Sequence, residues 1–362
     1  MLTVEQAWAE IVAHSRPLGA RSVPLARSLG MLLAEAITSD IDSPPYDKSL
    51  MDGYAVQHKD LADGKAELRV VEEITAGSTP QLAVGEGEAA RIMTGAPLPE
   101  GATAVVMIEH IEMLPGDPPR VRLQTPAPKK GQNILRKAAC MQTGEEVLPA
   151  GHKVRPGDIG LMAEAGMSRV MIYPAPRVVV QATGNELVAP GDPLKPGCIR
   201  NSNGPMLLAM AAAVGADEHD MGIAKDDRAA LRSKIVAGLQ SHILVLSGGV
   251  SAGVLDLPGN PVSSFVCFHL FVKLAIARLA GSTAESPARL EARLAAPFRH
   301  QGERPTWQPA ELWDADGGRH CRPVQWQGSA DLRSLAKAQC LAHFPAGDHQ
   351  YKTGDTVEVL PF

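Results

Sequence analysis

Two glycine-bearing segments stand close together late in the chain: Gly248-Gly249-Val250-Ser251-Ala252-Gly253 and Leu257-Pro258-Gly259-Asn260-Pro261. Glycine-rich backbone can turn its N–H groups toward an anion, and a helix N-terminus adds partial positive charge. The first segment follows a strand-like apolar run, Ile243-Leu244-Val245-Leu246, and the second opens an apolar run from Val262 to Ala280 that reads as a helix. Both therefore read as anion-binding loops. Only Val254, Leu255 and Asp256 separate them, although consecutive parallel strands normally need a crossover of about a dozen residues. Two other tracts carry reactive side chains. Residues 42–55 are dense in turn formers and carboxylates, including Asp42, Asp47 and Asp52. Residues 91–99 read as a strand entering a turn, with Thr94 at the corner. Each of these alone reads as an ordinary capped turn.

The elements expected to position the loops follow from periodicity. Arg177 to Ala182 is a strand-like run ending at Thr183-Gly184-Asn185-Glu186. Asn201-Ser202-Asn203 offers caps for a helix running to Val214 and closed by Gly215. Asp226 or Asp227 caps another, in which Ala230, Leu231, Ile235 and Leu239 share a face. Strands alternating with helices predict a mainly parallel sheet, and ligands bind beyond the C-terminal strand ends of such sheets. Thr183, Ser247 and Gly248 lie there. Upstream, Thr3 and Gln6 predict a capping box for a helix with Val4, Trp8, Ile11 and Val12 on one face. A second helix is expected over 23–37. Short alternating runs between 56 and 123 predict a small β-rich module, and the Pro/Lys-rich residues 126–131 a hinge. From about 287 the chain returns to short strands. The expected organisation is an N-terminal region 1–175 with its β-rich insert at about 56–140, an α/β domain 176–282 and a C-terminal β domain 287–362.

Composition narrows the function classes. A length of 362 residues suits two to three domains. Formal net charge is -5, without a long Lys/Arg run, which argues against broad nucleic-acid binding. The five cysteines, Cys140, Cys198, Cys267, Cys321 and Cys340, are dispersed and form no C-x-x-C, which fits a reducing compartment and not a zinc site. His269, Lys273 and Arg278 interrupt the most apolar late stretch, so a membrane span is not expected there. The sequence reading is thus no nucleic acid, no membrane and a cytoplasmic location.

Taken together, residues 44–56, 91–106, 183–187, 201–203, 226–227, 247–253, 257–263 and Gly328-Ser329-Ala330-Asp331-Leu332 resemble, in family order, the molybdopterin molybdenumtransferases, the group of bacterial MoeA and the gephyrin E domain. The resemblance implies a multidomain α/β plus β fold. Its parts would be an elongated N-terminal region with an inserted β-rich module, a three-layer α/β molybdopterin-binding domain and a small β-barrel-like C-terminal domain. It implies a substrate pair of molybdate and adenylylated molybdopterin, insertion of molybdenum into the dithiolene, release of AMP, and Mg²⁺ as companion ion. It further implies a homodimer with a shared active site and an upstream molybdopterin adenylyltransferase as partner. Carried over residue by residue, Asp52, Thr94, Asp226 and Asp256 are the expected catalytic groups, and Asp52, Glu186, Asp226 and Asp256 the metal ligands. The expected substrate-binding set runs from Thr183, Gly184, Glu186, Ser202 and Asn203 through Ser247, Gly248, Gly249 and Ser251 to Pro258, Asn260, Pro261 and Ser263.

The chain also departs from the family pattern. A helix, two strands and a Lys-Pro-Gly-Lys-Pro loop, about 35–45 residues by ordinary element lengths, are absent between the Asp256 and Leu257 positions, so the domain is expected to be truncated there. Lys48, Lys225 and Arg136 are the cations that could replace the missing lysines. Ala138-Ala139-Cys140 stands where the family has Gly-Glu-Asp, and Asn185 where Asp is common. These departures leave a second reading, a catalytically impaired relative that binds molybdopterin or acts as a dimeric scaffold. A third is another phosphate-ligand enzyme on a similar sheet.

Overall fold

The computed structural model describes residues 2–61, 66–124, 126, 128–248, 255–315 and 317–362, with the side chains of Leu255 and Asp256 outside that description. The chain opens with helix α1, Val4–His14, whose capping box forms as its sequence predicts. Gln6 N–H donates to Thr3 Oγ1 at 3.2 Å, and Thr3 N–H to Gln6 Oε1 at 2.9 Å. Trp8 on the apolar face is buried, and its indole N–H donates to the Leu270 carbonyl at 2.7 Å, which pins α1 to the late apolar helix.

No second helix covers 23–37. Arg21–Pro24 is a strand paired antiparallel with Arg169–Tyr173, and Leu32–Leu33 lies on the other side of that same strand. Pro24 and Gly30, at φ +78°, interrupt a helix. The partner strand lies far along the sequence, so local periodicity could not reveal it. Leu33 and Ile172 there share a core with Met162.

The β-rich insert is a six-stranded sheet in which Gly53–Val56 lies between Ala104–Met107 and Glu88–Ile92. Gly53 is required there, because a Cβ would sit 1.9 Å from the Val106 carbonyl oxygen. The stretch expected to be a hinge is tied back to this sheet at its end, where Gly131 N–H donates to the Thr103 carbonyl at 2.8 Å. Ala138 has φ +59°, in the left-handed region that costs an L-residue about 1 kcal/mol or more. We therefore expect Ala138→Gly to raise the unfolding free energy by about 1 kcal/mol, less what glycine adds to unfolded-chain entropy. An unchanged or lower denaturation midpoint would show the turn is unstrained.

The α/β domain is a four-stranded parallel sheet in the order Asp217–Ala224, Arg177–Thr183, Ile243–Ser247, Leu255–Leu257. Helix α2 is Pro156–Glu164, α3 Asn203–Ala213 and α4 Arg228–Gly238. Helix α3 and the long helix Pro261–Leu279 cover one face of the sheet, through Leu207, Ala211, Phe268, Val272 and Ile276. On the other face Ile235 of α4 packs on Val179, Leu244 and Leu246. The domain is therefore three-layered, and Asp227 is the α4 cap, its side chain accepting from Ala230 N–H at 2.8 Å.

The Leu255–Leu257 strand runs straight across the junction where the family segment is absent. Leu255, Asp256 and Leu257 lie opposite Val245, Leu246 and Ser247. The three-residue strand thus begins two residues of strand rise, about 7 Å, back from the end of its neighbour.

The long helix is long and apolar enough to cross a membrane by length and composition alone, a test that the core helix of a globular domain also passes. Here its apolar residues are core. Its π-turn, Phe268–Val272, carries His269, buried and stacked on Phe362 at 4.5 Å with Phe265 at 4.6 Å. Burial, then the Lys273 charge, push its pKa down to about 3 from 6.5. Between those values the unfolded chain holds a proton that the folded chain lacks, so stability falls as pH drops from 6.5 toward 3. We expect His269→Phe to remove this part of the acid destabilisation. Denaturation midpoints at pH 7 and pH 5 read the effect, and an equal drop in both proteins would refute it.

The C-terminal domain is a closed barrel in the order Leu290–Leu294, Gly318–Pro323, Thr306–Ala315, Cys340–Phe344, Thr356–Pro361. Cys321 and Cys340 are free thiols in its core. Burial pushes them up to about 11 and about 12, Cys340 also by its neighbour Cys321. Trp307 is likewise core, stacked on His343 at 4.4 Å.

Candidate functional site

Gly248 and Gly259, one from each of the glycine-bearing segments, meet at the C-terminal end of the parallel sheet. Asn203, at the start of α3, joins them: its Nδ2 donates to Ser247 Oγ and to the Gly259 carbonyl, both at 2.8 Å. A Cβ added to Gly259 would lie 3.8 Å from the Gly248 Cα, so these two glycines touch. Thr183 ends its strand with its hydroxyl donating to the Gly248 carbonyl. Gly248 N–H donates to the Leu257 carbonyl at 3.3 Å. Gly248 sits at φ +86°, and a Cβ there would be 2.7 Å from the Thr183 carbonyl oxygen. Asn203 is 7% exposed, and its Oδ1 has no partner among the described residues. A buried acceptor left open carries a cost unless something donates to it.

The second loop is braced from below. Ser264 donates its hydroxyl to the Pro258 carbonyl, and its N–H to the Asn260 carbonyl at 2.9 Å. Asn260 is the N-cap and Pro261 the first helical residue. Pro261 has no N–H, and Val262 N–H donates to the Ser329 carbonyl at 3.0 Å. The helix therefore offers an anion fewer N–H groups than an open N-terminus would. Ser263, on the same first turn, is part-buried. Gly259, Ser264 and Ser329 were not among the sequence candidates. The Gly-Asn-Pro cap and the Gly328-Ser329 match were the available signals for two of them.

The acids divide into two places. Glu186 and Asp226 are exposed at the sheet end. Asn185 Oδ1 accepts from Asp226 N–H at 3.2 Å, so the neutral amide ties the 183–186 turn to the 226 loop. Gly184, at φ +152°, leaves room for the Glu186 carboxylate, which a Cβ would approach to 2.6 Å. Ser202 is part-buried beside Asn203. Asp52 is elsewhere. Its Oδ1 accepts both the Thr94 N–H and the Thr94 hydroxyl, each at 2.7 Å. The amide, then the hydroxyl, hold the Asp52 carboxyl below its ordinary value. Among the described residues no hydrogen bond or ion pair links Asp52 to the sheet-end loops.

Other expected groups have separate employment. Arg136 pairs with Asp47 at 2.5 Å, and Lys137 with Asp42 at 3.1 Å. Lys48 lies in a strand paired with Ile134–Leu135. Cys140 is exposed, and its N–H donates to the Ser43 carbonyl at 2.9 Å. Gly249, Ser251 and the Asp256 side chain lie outside the described residues. Among the described residues no three His, Cys, Asp or Glu side chains gather to hold a metal ion. The expected four-carboxylate set is not assembled by Glu186, Asp226 and Asp52 of one chain.

Comparison with known proteins covers the chain from end to end. Residues 2–166 match the MoeA N-terminal region (domain I and II), 179–257 a probable molybdopterin binding domain, and 291–362 the MoeA C-terminal region (domain IV). A molybdopterin molybdenumtransferase of Staphylococcus aureus strain Mu50 is 31% identical over 402 residues, covering 99% of this chain and 95% of its own. One from Nostoc sp. PCC 7120 is 33% identical over 93% of this chain and 88% of its own. The crystal structure of a molybdopterin biosynthesis moeA protein from Pyrococcus horikoshii OT3 superposes with a TM-score of 0.84 at 26% identity, covering 100% of both chains. The Staphylococcus alignment spans 402 positions and this chain has 362 residues, so at least 40 positions (402 less 362) have no residue here. That shortfall has the size of the absent segment.

Proposed function

The chain belongs to the molybdopterin molybdenumtransferase family, and on that premise we propose that it takes adenylylated molybdopterin and molybdate, places molybdenum in the dithiolene and releases AMP. The observation that carries this reading is the Asn203 tie that brings the Gly248 and Gly259 loops together beyond the strand ends. Backbone approaching from two glycine turns suits a phosphate, and the open Asn203 Oδ1 suits a donor group beside it. Loss of the lysine-bearing segment does not undo this contact, which favours a transferase over a scaffold without chemistry.

Asp52 with Thr94 is the second half of the proposed site. The Thr94 N–H and hydroxyl keep Asp52 ionised, so its remaining carboxylate oxygen is a ready acceptor or ligand atom. We place the Asp52 turn of a second copy against the sheet-end loops, in a homodimer with two shared sites. Mg²⁺ is the companion ion of this reading. Oxygen ligands suit it, but the described side chains of one chain do not complete a cage. Glu186 and Asp226 would hold it together with Asp256 and with Asp52 from the second copy. The proposed setting is cytoplasmic, downstream of a molybdopterin adenylyltransferase.

The test is incubation of purified protein with adenylylated molybdopterin, Mg²⁺ and molybdate. AMP release with formation of active cofactor supports the reading. Tight pterin binding without AMP release would replace it with the impaired relative.

A further inference from the structure

On the C-terminal barrel, residues 324–327 are flanked by two adjoining cavities of about 740 and 480 Å³. Arg299, Arg322 and Lys337 line the larger, and Arg333 joins Lys337 in the smaller. The carboxylates on these walls are Glu311 and Asp331. Glu311 pairs with Arg322 at 3.6 Å. Asp331 is occupied by backbone, accepting from Arg333 N–H at 3.0 Å and Gln327 N–H at 3.2 Å. Among the described residues Arg299, Arg333 and Lys337 make no ion pair, so four cations face two carboxylates. Gln325, Gln327 and Trp326, which carry neutral N–H donors, line the same walls. A concave surface with excess positive charge and neutral donors concentrates anions.

We propose that this cleft is an oxyanion-binding site, taking a tetrahedral group such as a nucleotide phosphoryl or free molybdate. Its position gives it a use. Ala330 lines the cleft, and the neighbouring Ser329 carbonyl fixes Val262 at the start of the long helix. The cleft is thus tied through Ser329 to the start of the helix that carries the Asn260 loop. Linking the cleft to that loop rests on the proposed function; the binding itself does not.

Titration calorimetry of the full chain with inorganic phosphate, molybdate and AMP tests this. The side chains of Arg299 and Lys337 are on the surface, so Arg299→Gln combined with Lys337→Gln should keep the fold, checked by circular dichroism. The double variant is expected to bind phosphate about tenfold or more weakly, through lost charge-assisted bonds. Asn203→Ala, which disturbs the other proposed phosphate site, should leave in place the binding component that the double variant loses. If AMP binds more tightly than phosphate and loses as much, the occupant is a nucleotide phosphoryl. If molybdate does so, it is the free oxyanion. No measurable phosphate binding, unchanged affinity in the double variant, or loss in Asn203→Ala instead would overturn the proposal. Phosphate binding retained without AMP release would fault the proposed function and leave the cleft standing.

Discussion

Gly248→Val is expected to reduce AMP release about 100-fold or more, because productive geometry at a phosphate site tolerates little displacement. Two effects add at this position. A β-branched residue at φ +86° is strained by about 1–3 kcal/mol. Its Cβ would also lie 2.7 Å from the Thr183 carbonyl oxygen and 3.3 Å from Thr183 Oγ1. The first neighbour is backbone at a strand end and cannot turn aside, so the loop must move away from Gly259. Asn203 would then lose its grip on one loop or the other. Gly197→Ala is the control: its φ is +78° with nothing within 4 Å of the added Cβ, so it carries strain without obstruction. Normal AMP release in Gly248→Val would show that this turn does not shape the site. Equal loss in Gly197→Ala would make the effect one of general stability.

Legibility in the sequence followed the range of the interactions. The α1 cap is written within residues 3–6, and the helix formed as its pattern predicts. The α/β order was visible because each strand and helix has its own period, and the glycine turns mark the strand ends. Residues 23–37 failed for the opposite reason. Their strands are held by Arg169–Tyr173, more than a hundred residues away, and an apolar run alone does not distinguish that from a helix. Within the site, loop positions were legible but their ties were not. Asn203 was a candidate for ligand contact, yet its amide nitrogen is committed to Ser247 and Gly259. Thr94 was an expected catalytic group, yet its hydroxyl is committed to Asp52. Ser264 gave no signal, because a serine inside a helix looks the same whether it braces a loop or faces solvent. The crossing of the expected gap by the Leu255–Leu257 strand could not be read either, since three residues carry no period.

Asp52→Ala is expected to lower AMP release by about two orders of magnitude, the usual scale for removing a positioned acid–base or ligand group. It should do so with little change in unfolding midpoint, because both Asp52 and Thr94 are exposed. The sharper experiment mixes this variant with Gly248→Val after joint unfolding and refolding. In a symmetric dimer with shared sites, a mixed pair has one site with both defects and one with neither. The intact site takes Asp52 from the Gly248→Val chain and Gly248 from the Asp52→Ala chain. Random pairing would make half the dimers mixed, each with one working site of two, so activity should return to about a quarter of the wild-type level. If Asp52 instead serves the loops of its own chain, each protomer retains one defect and mixing restores nothing. The structure gives the reason to expect restoration: within one chain Asp52 is bonded to Thr94, and its free oxygen has no described partner at the sheet end. A carboxylate held ionised on an exposed turn is placed to serve a neighbour. Recovery on mixing would identify that neighbour as a second copy, and its absence would remove the shared site while leaving the paired loops around Asn203 in place.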